Sequence, residues 1–386
     1  MWKRIAMQTI FSSFYVVTAQ TVLLIDIANV HAQNSPEQQF DALMKNYNAK
    51  LKDLGKARQR ILLRMNRAKT IAERSKLNRE FRNLLLNSPV TQLTPKFVKF
   101  AFANSKSESG LKAMAWVIKN NPRQKNIARF MNSILKYHAK SKNVAEVLPA
   151  MQRTLKTLPV DFLRTVIDDN PWPQAKATAS VILAGQFKNA AETQGDMKQY
   201  RKAVSLFEKT SKKYGSFPSP RGVTIFDFCR SELEEINGPR GLGKTVPEIK
   251  GEDLDGNPFK LSQTRGKVVV LDFWADWQPR CREMYAQKNK LVKRLANKPF
   301  VLIGMNSDRN YDRLKQTVKK KNIAWRTLWS GGTRGPIVKA WNIHRWPTIY
   351  VIDAKGIIRY KNVQGKALDE AVQKLLAETP EGNTKG

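Results

Sequence analysis

The sequence contains very little cysteine: only Cys229 and Cys281 occur among its 386 residues. A scaffold that folds around disulfides needs several pairs, so this class is excluded. The sequence also lacks zinc-finger spacings and the aromatic signature of RNA-binding domains. No motif for a cofactor or a metal is found in it, and we therefore predict no cofactor and no metal site.

Acidic residues are also scarce, with 32 Asp and Glu against 68 Lys and Arg, which gives a formal charge of +36 and a pI of about 10.3. This imbalance predicts attraction to an anionic partner, such as nucleic acid, a polysaccharide or a lipid surface. No nucleic-acid motif accompanies the charge, so we interpret it as a solvated basic surface and do not expect nucleic acid as the partner. An anionic polysaccharide or a lipid surface remains a possible partner of this basic surface.

The first 32 residues have the pattern of an export signal. Lys3 and Arg4 precede a mostly apolar stretch, and VHA, ending at Ala32, offers small residues for cleavage. Polar residues such as Asp26 make the stretch a poor membrane span. We predict a signal peptide over residues 1–32 and an exported protein of the periplasm or cell envelope, with an uncleaved N-terminal anchor as the alternative.

The length of the chain predicts two domains. Residues 33–236 carry helical patterns interrupted by NSPVTQLTP, NNPRQ and DDNPWPQ, which indicates an irregular all-helical domain of helical hairpins. The clearest hairpin joins residues 174–191 and 197–214 through Gly195 and Asp196. The stretch YRKAVSLFEKTSKKYG resembles the second helix of a tetratricopeptide repeat, but no repeating period is found elsewhere.

A last helix of this region, from about Val223 to Ile236, is predicted to carry four apolar residues on one face: Phe226, Cys229, Leu233 and Ile236. Free cysteine behaves as a small hydrophobic residue in such a position. We therefore interpret Cys229 as a core residue rather than as a reactive thiol.

NGPRGLGKTVP, residues 237–247, is predicted to be a linker because it is rich in Gly and Pro and has no periodicity. After it, strands and helices alternate. KVVVLDF and PFVLIGMNS are nearly all apolar, as buried parallel strands are, and WPTIYVID and IIRYKNV form a strand pair before a final helix. This order predicts an α/β sandwich with a mixed sheet over residues 248–380.

WADWQPRC, residues 274–281, directly follows the first of these strands. LDFWADWxxxCR resembles the thioredoxin signature, in which Asp-Phe-Trp-Ala leads to Trp-Cys-Gly-Pro-Cys. RWPTIYVIDAKGIIRY resembles the cis-proline segment of that family and the hairpin after it. Together with GEDLDGNPFKLSQTRGK, these motifs make residues 242–378 similar to exported TlpA/ResA-type proteins of the AhpC/TSA redoxins. The resemblance implies a thioredoxin-like fold and thiol–disulfide exchange with a protein partner.

The resemblance also implies a role for individual residues. It assigns the active-site tryptophan, the resolving cysteine, the buried carboxylate and the cis-proline to Trp277, Cys281, Asp272 and Pro347 respectively. Gln278 stands where the family has its nucleophilic cysteine. An amide cannot attack a disulfide, so the two-thiol cycle cannot close within this motif.

Three hypotheses describe what the protein does without a cysteine at position 278. In the first, Cys281 alone reacts with a protein thiol or disulfide, because a helix N-terminus and the neighbouring Arg280 and Arg282 favour thiolate. A peroxidase is disfavoured, since Trp274 and Gln278 replace the Pro and Thr of the peroxiredoxin pattern.

In the second hypothesis the chain is a non-catalytic module that binds an extended peptide beside Pro347. In the third it is a cationic scaffold of the cell envelope. A disulfide between Cys229 and Cys281 is a variant of the first. We predict an exported thioredoxin-fold member of the thiol–disulfide oxidoreductase family with altered or reduced activity, and leave open whether it is an enzyme.

Overall fold

The computed structural model describes residues 35–379, so the predicted signal peptide over residues 1–32 lies outside the described residues. The chain divides into two compact units, here named the N-terminal unit, up to Lys156, and the C-terminal unit, from Thr157 onward. None of the helices within residues 35–379 combines the length and the apolar character of a membrane span.

Within residues 35–156, the secondary structure of the N-terminal unit is helical. Its helices are α1 (Pro36–Arg67), α2 (Ile71–Leu86), α3 (Pro89–Ala103), α4 (Glu108–Asn120), α5 (Ile127–Tyr137) and α6 (Val144–Leu155). α1 begins where Ser35 and Gln38 exchange two hydrogen bonds between side chain and backbone, which satisfies donors that a helix start leaves unpaired. In the core, the ring of Phe97 stacks on Trp116 with centroids 3.9 Å apart.

The C-terminal unit begins with helices α7 (Val160–Asp169), α8 (Pro173–Gln194), α9 (Met197–Tyr214) and α10 (Ile225–Asn237). The predicted hairpin is confirmed as α8 and α9. Gly195 ends α8 with a φ of 68°, a left-handed conformation that glycine adopts readily. Asp196 then starts α9 by accepting a hydrogen bond from the Lys198 amide at 2.7 Å.

α10 confirms the predicted burial of Cys229 but not that of Phe226. Cys229 has no exposed surface, whereas the side chain of Phe226 is 51% exposed. The buried face follows Ile225, Cys229 and Ile236, at helical spacings of four and seven residues. Phe226 lies one residue, or about 100°, away from that face.

A five-stranded mixed sheet follows, with the strand order β5-β4-β3-β6-β7. Its strands are β3 (Val268–Trp274), β4 (Phe300–Asn306), β5 (Arg326–Trp329), β6 (Thr348–Ile352) and β7 (Ile358–Lys361), preceded by the short hairpin β1 (Lys250–Glu252) and β2 (Pro258–Lys260). β3, β4 and β5 are parallel to one another, and β6 is antiparallel to both β3 and β7. The helices of this part are α11 (Pro279–Glu283), α12 (Tyr285–Arg294), α13 (Tyr311–Lys320), α14 (Pro336–Ala340) and α15 (Lys366–Ala377). The predicted fold class is therefore confirmed: a helical region precedes a thioredoxin-like α/β sandwich.

Both faces of the sheet are buried, as the apolar run of β3 requires. Alternate residues of a strand point to opposite faces. Val269, Leu271 and Phe273 therefore belong to one core cluster, which includes Cys229. Val268, Val270 and Trp274 belong to the other, which includes Cys281. The two cysteines lie in different cores, on opposite sides of one sheet.

Helices α8 and α10 are attached to the β7 edge of the sheet by a group of buried and half-buried charges. We name this group, consisting of Lys188, Glu192, Glu232, Glu235 and Lys361, the edge cluster. Lys361 of β7 lies 2.8 Å from Glu192 and 3.1 Å from Glu235, and Lys188 lies 2.8 Å from Glu232 and 2.7 Å from Glu235. Burial alone would lower the pKa of Lys361, but the attraction of Glu192 and Glu235 raises it.

The predicted linker, residues 237–247, is hydrogen-bonded to the same edge. The Gly243 amide donates to the Ile358 carbonyl at 2.8 Å, and the Val246 amide donates to the Gly356 carbonyl at 2.9 Å. The division into compact units falls at Lys156, well before this segment, because α8 and α10 pack on the sheet. The predicted boundary therefore does not coincide with the division into units.

Candidate functional site

The candidate site lies where β3 ends and the chain turns into the short helix α11. Trp274 is the last residue of the strand, and Trp277 follows with 49% of its surface exposed. Gln278 is half-buried and is the N-cap of α11, but its side chain makes no capping hydrogen bond. Its carbonyl accepts a hydrogen bond from the Cys281 amide at 3.0 Å. The amide side chain thus occupies the position that the thioredoxin signature gives to its first cysteine.

Cys281 lies one turn further on and has no exposed surface. Burial raises the pKa of its thiol to about 11, although a hydrogen bond from the backbone of Ala275 acts in the opposite direction. Arg280 and Arg282 are exposed beside it. The raised pKa follows from desolvation of the buried sulfur, and neither arginine is among its causes, so the favouring of thiolate by these two cations stays a prediction.

Asp272 of β3 and Lys288 of α12 form an ion pair beneath the motif, and neither has any exposed surface. We name these two residues the site pair. The bond joins Lys288 Nζ to Asp272 Oδ2, while Asp272 Oδ1 has no hydrogen-bond partner within the described residues. Burial raises the pKa of Asp272, and the attraction of Lys288 opposes that effect. The side chains of the pair also influence the pKa of Cys281, the carboxylate raising it and the ammonium lowering it.

The prediction of a buried carboxylate at Asp272 is confirmed in position, whereas Lys288 was missed. A signal for it exists in the sequence. Tyr285, Lys288 and Leu291 recur at intervals of three residues, so Lys288 falls within the apolar stripe of a predicted helix. A lysine at such a position needs a buried partner, and Asp272 is that partner.

The floor of the site is crowded by two indole rings. Asp272 and Gly304 are opposite each other in the parallel pairing of β3 and β4. A Cβ atom at position 304 would lie 2.6 Å from Nε1 of both Trp274 and Trp325, a distance too short for any side chain. Glycine is therefore required where these tryptophans approach the strand.

Asp308, which follows β4, holds the loop that carries Trp277. Its carboxylate accepts hydrogen bonds from the Asp276 amide at 3.0 and 3.1 Å and from Asn306 Nδ2 at 2.7 Å. Asp308, like Lys288, was not predicted as part of the site. Its position after a strand parallel to β3 was the available signal, because the carboxyl ends of parallel strands meet at one edge of a sheet.

The segment before β6 completes the surface of the site. The peptide bond between Trp346 and Pro347 is cis, as the resemblance implied. Phe273 and Thr348 are opposite each other in the sheet, so this bond lies beside the end of β3. The rings of Trp277 and Trp346 meet edge to face with centroids 5.6 Å apart. The structure thus brings Trp277 and the Pro347 segment together, while the role of each in chemistry stays a prediction.

Both cysteines are free, so the disulfide between them is not formed. They belong to cores on opposite faces of the sheet, which keeps a bridge from closing. Burial raises the pKa of Cys229 to about 12, as does the neighbouring charge of Glu232. Cys229 is therefore a core residue, as predicted. Within residues 35–379, no group of three or more His, Cys, Asp or Glu is arranged to hold a metal ion.

Disulfide exchange begins when a thiolate attacks a disulfide sulfur. At this site the outer position carries an amide, and the inner thiol is buried and protonated at neutral pH. The remaining parts are a buried carboxylate with its lysine and an exposed tryptophan against the cis-proline segment. Within the motif, the side chain of Trp277 is accessible, whereas the thiol of Cys281 is buried.

Comparison with known proteins agrees with this geometry. Residues 242–361 match the AhpC/TSA family. The thiol–disulfide oxidoreductase ResA of Bacillus cereus is 25% identical over 155 residues, which is 40% of this chain and 86% of that protein. The thiol:disulfide interchange protein DsbE of Vibrio cholerae is 30% identical over 147 residues, 36% of this chain and 77% of that protein.

Among solved structures, the thioredoxin domain of a thiol-disulfide oxidoreductase from Bacteroides vulgatus is 26% identical and aligns with a TM-score of 0.33, covering 35% of this chain and 98% of that domain. The family match covers the part of the chain that contains β3, the motif and the cis-proline segment. Through this part, the chain belongs to the redoxin family, together with the thiol–disulfide oxidoreductases that it resembles in sequence.

Proposed function

We propose that this chain is an exported thioredoxin-fold protein whose own thiol–disulfide exchange activity is reduced because Gln278 replaces the nucleophilic cysteine. One observation carries the proposal. Gln278 stands at the N-cap of α11, and the thiol one turn below it is buried with a pKa raised to about 11. Neither side chain offers a thiolate to a client disulfide at neutral pH.

The rest of the site supports a retained place for a client protein. Trp277 is exposed and packs on Trp346, so an aromatic surface remains beside the motif. Large amphipathic rings of this kind contribute strongly to protein contacts. The partner we propose is a protein that carries a thiol or a disulfide, as the family resemblance implies.

Export is proposed from the sequence of residues 1–32, with its positive start, apolar stretch and small residues ending at Ala32. The excess of basic residues would favour adhesion to anionic surfaces of the envelope. That adhesion would fall steeply with salt, since it depends on exposed charges.

The central experiment measures reduction of a protein disulfide, such as that of insulin, by wild type and by Gln278→Cys in the presence of an external thiol reductant. In the variant, the thiolate at position 278 attacks the client disulfide, forms a mixed disulfide and releases one client thiolate. Cys281 then loses its proton, attacks the sulfur at position 278 and releases the second client thiolate. The external thiol reduces the resulting disulfide between positions 278 and 281. We expect wild type to remain near the uncatalysed rate and the variant to exceed it by about tenfold or more.

Two controls separate chemistry from folding. Gln278→Ser changes the same half-buried position without adding a thiol, and Gln278→Cys combined with Cys281→Ala removes the resolving step. Neither variant is expected to reduce the insulin disulfide faster than the uncatalysed reaction. Wild type that equals Gln278→Cys in rate, and loses that rate in Cys281→Ala, would show a working single thiol and contradict the proposal.

A further inference from the structure

A cavity of about 700 Å³ opens beside the site, on the side where Trp277 lies. We name it the arginine pocket, because Arg282, Arg309 and Arg313 line it together with Trp277, Asp276 and Asp308. It is formed by the motif, by the loop after β4 and by the start of α13. Cavities of this size hold organic ligands or several residues of a peptide, and exceed what one inorganic anion needs.

The three guanidinium groups are exposed and have no carboxylate partner within residues 35–379. Arg282 donates a hydrogen bond from Nη1 to the Asp276 carbonyl, which fixes that guanidinium at the mouth. A guanidinium carries five donors in a planar fork that matches a carboxylate. The pocket therefore presents unused donors of the type that binds carboxylates.

The two carboxylates of the pocket are occupied by the protein itself. Asp308 accepts the backbone amide of Asp276, and Asp276 Oδ1 accepts the hydroxyl of Tyr285 at 3.1 Å. These bonds orient the two carboxylates against the loop, and three arginines against two carboxylates leave the lining with a net positive charge. The pocket is also set in a chain of formal charge +36, which adds a long-range attraction for anions.

We propose that the arginine pocket binds acidic side chains of the client polypeptide, in an extended segment that passes across Trp277. The proposal rests on the proposed function, since the client is the protein that contacts the same site. A peptide is favoured over a free oxyanion because the pocket is large and is lined by the exposed Trp277, whose ring meets that of the half-buried Trp346. The substrate class is thus a protein with glutamate or aspartate near the segment that docks.

The test uses the full chain and a short fluorescein-labelled peptide that contains glutamates and no cysteine, compared with the same peptide carrying glutamines. Fluorescence polarisation at near-physiological salt reports binding without any thiol chemistry. We expect the acidic peptide to bind more tightly to wild type. Arg309→Gln combined with Arg313→Gln should weaken its binding by about tenfold, the effect of losing a few charge-assisted hydrogen bonds.

A matched control removes the same charge from the same helix. Lys319 and Lys320 are exposed at the end of α13 and do not line the pocket. Lys319→Gln combined with Lys320→Gln should leave the preference for the acidic peptide unchanged. Equal weakening in both double variants would attribute binding to general basic charge and overturn the proposal.

Two further outcomes would also overturn it. One is equal binding of the glutamate and glutamine peptides to wild type. The other is displacement of the acidic peptide by inorganic phosphate but not by sodium chloride at the same ionic strength, which would identify a site for a free oxyanion. Because the peptide has no cysteine, failure here is distinct from failure of the disulfide assay with Gln278→Cys.

Discussion

The edge cluster and the site pair are two groups of buried charges in the same unit, and they are built differently. The edge cluster joins α8, α10 and β7, and its carboxylates each face a lysine at 2.7 to 3.1 Å. The site pair joins β3 to α12 through one bond, and one oxygen of Asp272 has no partner within the described residues. The first group distributes charge over several partners, and the second leaves a polar atom unsatisfied beside a thiol.

The number of ion-pair partners indicates what each group does in the fold. Buried charges that face several oppositely charged partners from distant parts of a chain fix the relative position of the elements that carry them. An unsatisfied carboxylate oxygen is instead a source of instability, which proteins tolerate mainly at functional positions. The edge cluster is therefore expected to contribute to stability, whereas the site pair is expected to respond to protonation.

The largest effect is expected from Lys361→Met. Removing this lysine leaves Glu192 buried without its nearest cation, and breaking a buried pair in this way costs about 3–5 kcal/mol in the free energy of unfolding. Urea unfolding monitored by tryptophan fluorescence measures the loss. Lys366→Met is the control, because the side chain of Lys366 is 89% exposed and should change stability by less than about 0.5 kcal/mol. Similar losses in both variants would show that the edge cluster does not hold α8 and α10 to the sheet.

Lys288→Met is expected to lower the free energy of unfolding by a smaller amount. Once its lysine is removed, Asp272 can bind a proton and become neutral. Its pKa is already raised by burial, and loss of Lys288 raises it further. The native state then binds a proton that the unfolded state releases, so the variant is most stable at low pH and loses stability as the pH rises. We expect the free energy of unfolding of this variant to be about 2 kcal/mol lower at pH 7 than at pH 4, as measured by urea unfolding across that range.

The matched control for this prediction is Lys288→Met combined with Asp272→Asn. The double variant has no titrating group at the site pair, so its stability should lack the added dependence on pH. A single variant whose stability changes with pH as wild type does would mean that Asp272 remains ionised without its lysine.

The smallest effect is expected from Glu235→Gln, at the rim of the edge cluster. Burial alone would raise the pKa of Glu235, but Lys361 and Lys188 lower it to about 2, against an ordinary value of 4.5. A lowered pKa stabilises the native state above the ordinary value, and this stabilisation is lost as the pH falls toward 2. Because the side chain is 38% exposed, solvent screening limits the contribution to about 1 kcal/mol.

Unfolding of wild type and Glu235→Gln from pH 6 to pH 2 measures this contribution as a difference that shrinks toward low pH. Glu234→Gln is the control, since its side chain is 73% exposed and its ion pair with Arg230 is 4.0 Å long. If Glu234→Gln shows the same pH-dependent difference, the effect belongs to general surface charge and not to the edge cluster.

The sequence predicted the parts of this fold that depend on local pattern. The apolar runs predicted β3, β4, β6 and β7. The turn at Gly195 and Asp196 predicted the hairpin of α8 and α9. Periodicity was less reliable for single positions. Phe226 was placed on the buried face of α10, but a helix rotates by about 100° per residue, so an error of one position moves a side chain to solvent.

The candidate site was predictable where a motif kept its spacing, as for Asp272, Trp277 and Pro347. Lys288 and Asp308 were missed because they lie outside the quoted motifs and meet the site only through the packing of α12 and β4. The edge cluster could not be predicted, because Glu235 and Lys361 are 126 residues apart in the chain. No local pattern relates two such residues.

By itself, the sequence placed a glutamine at position 278, predicted that this is the nucleophile's position, and put strand, motif and proline in the order that resembles thioredoxin. Those facts depend on residue identity and local spacing alone. Only the tertiary structure decided that burial raises the pKa of the remaining thiol, Cys281, to about 11. The reason is physical: the free energy of charging a buried sulfur depends on how much water is excluded, and atoms from distant segments of the chain exclude it.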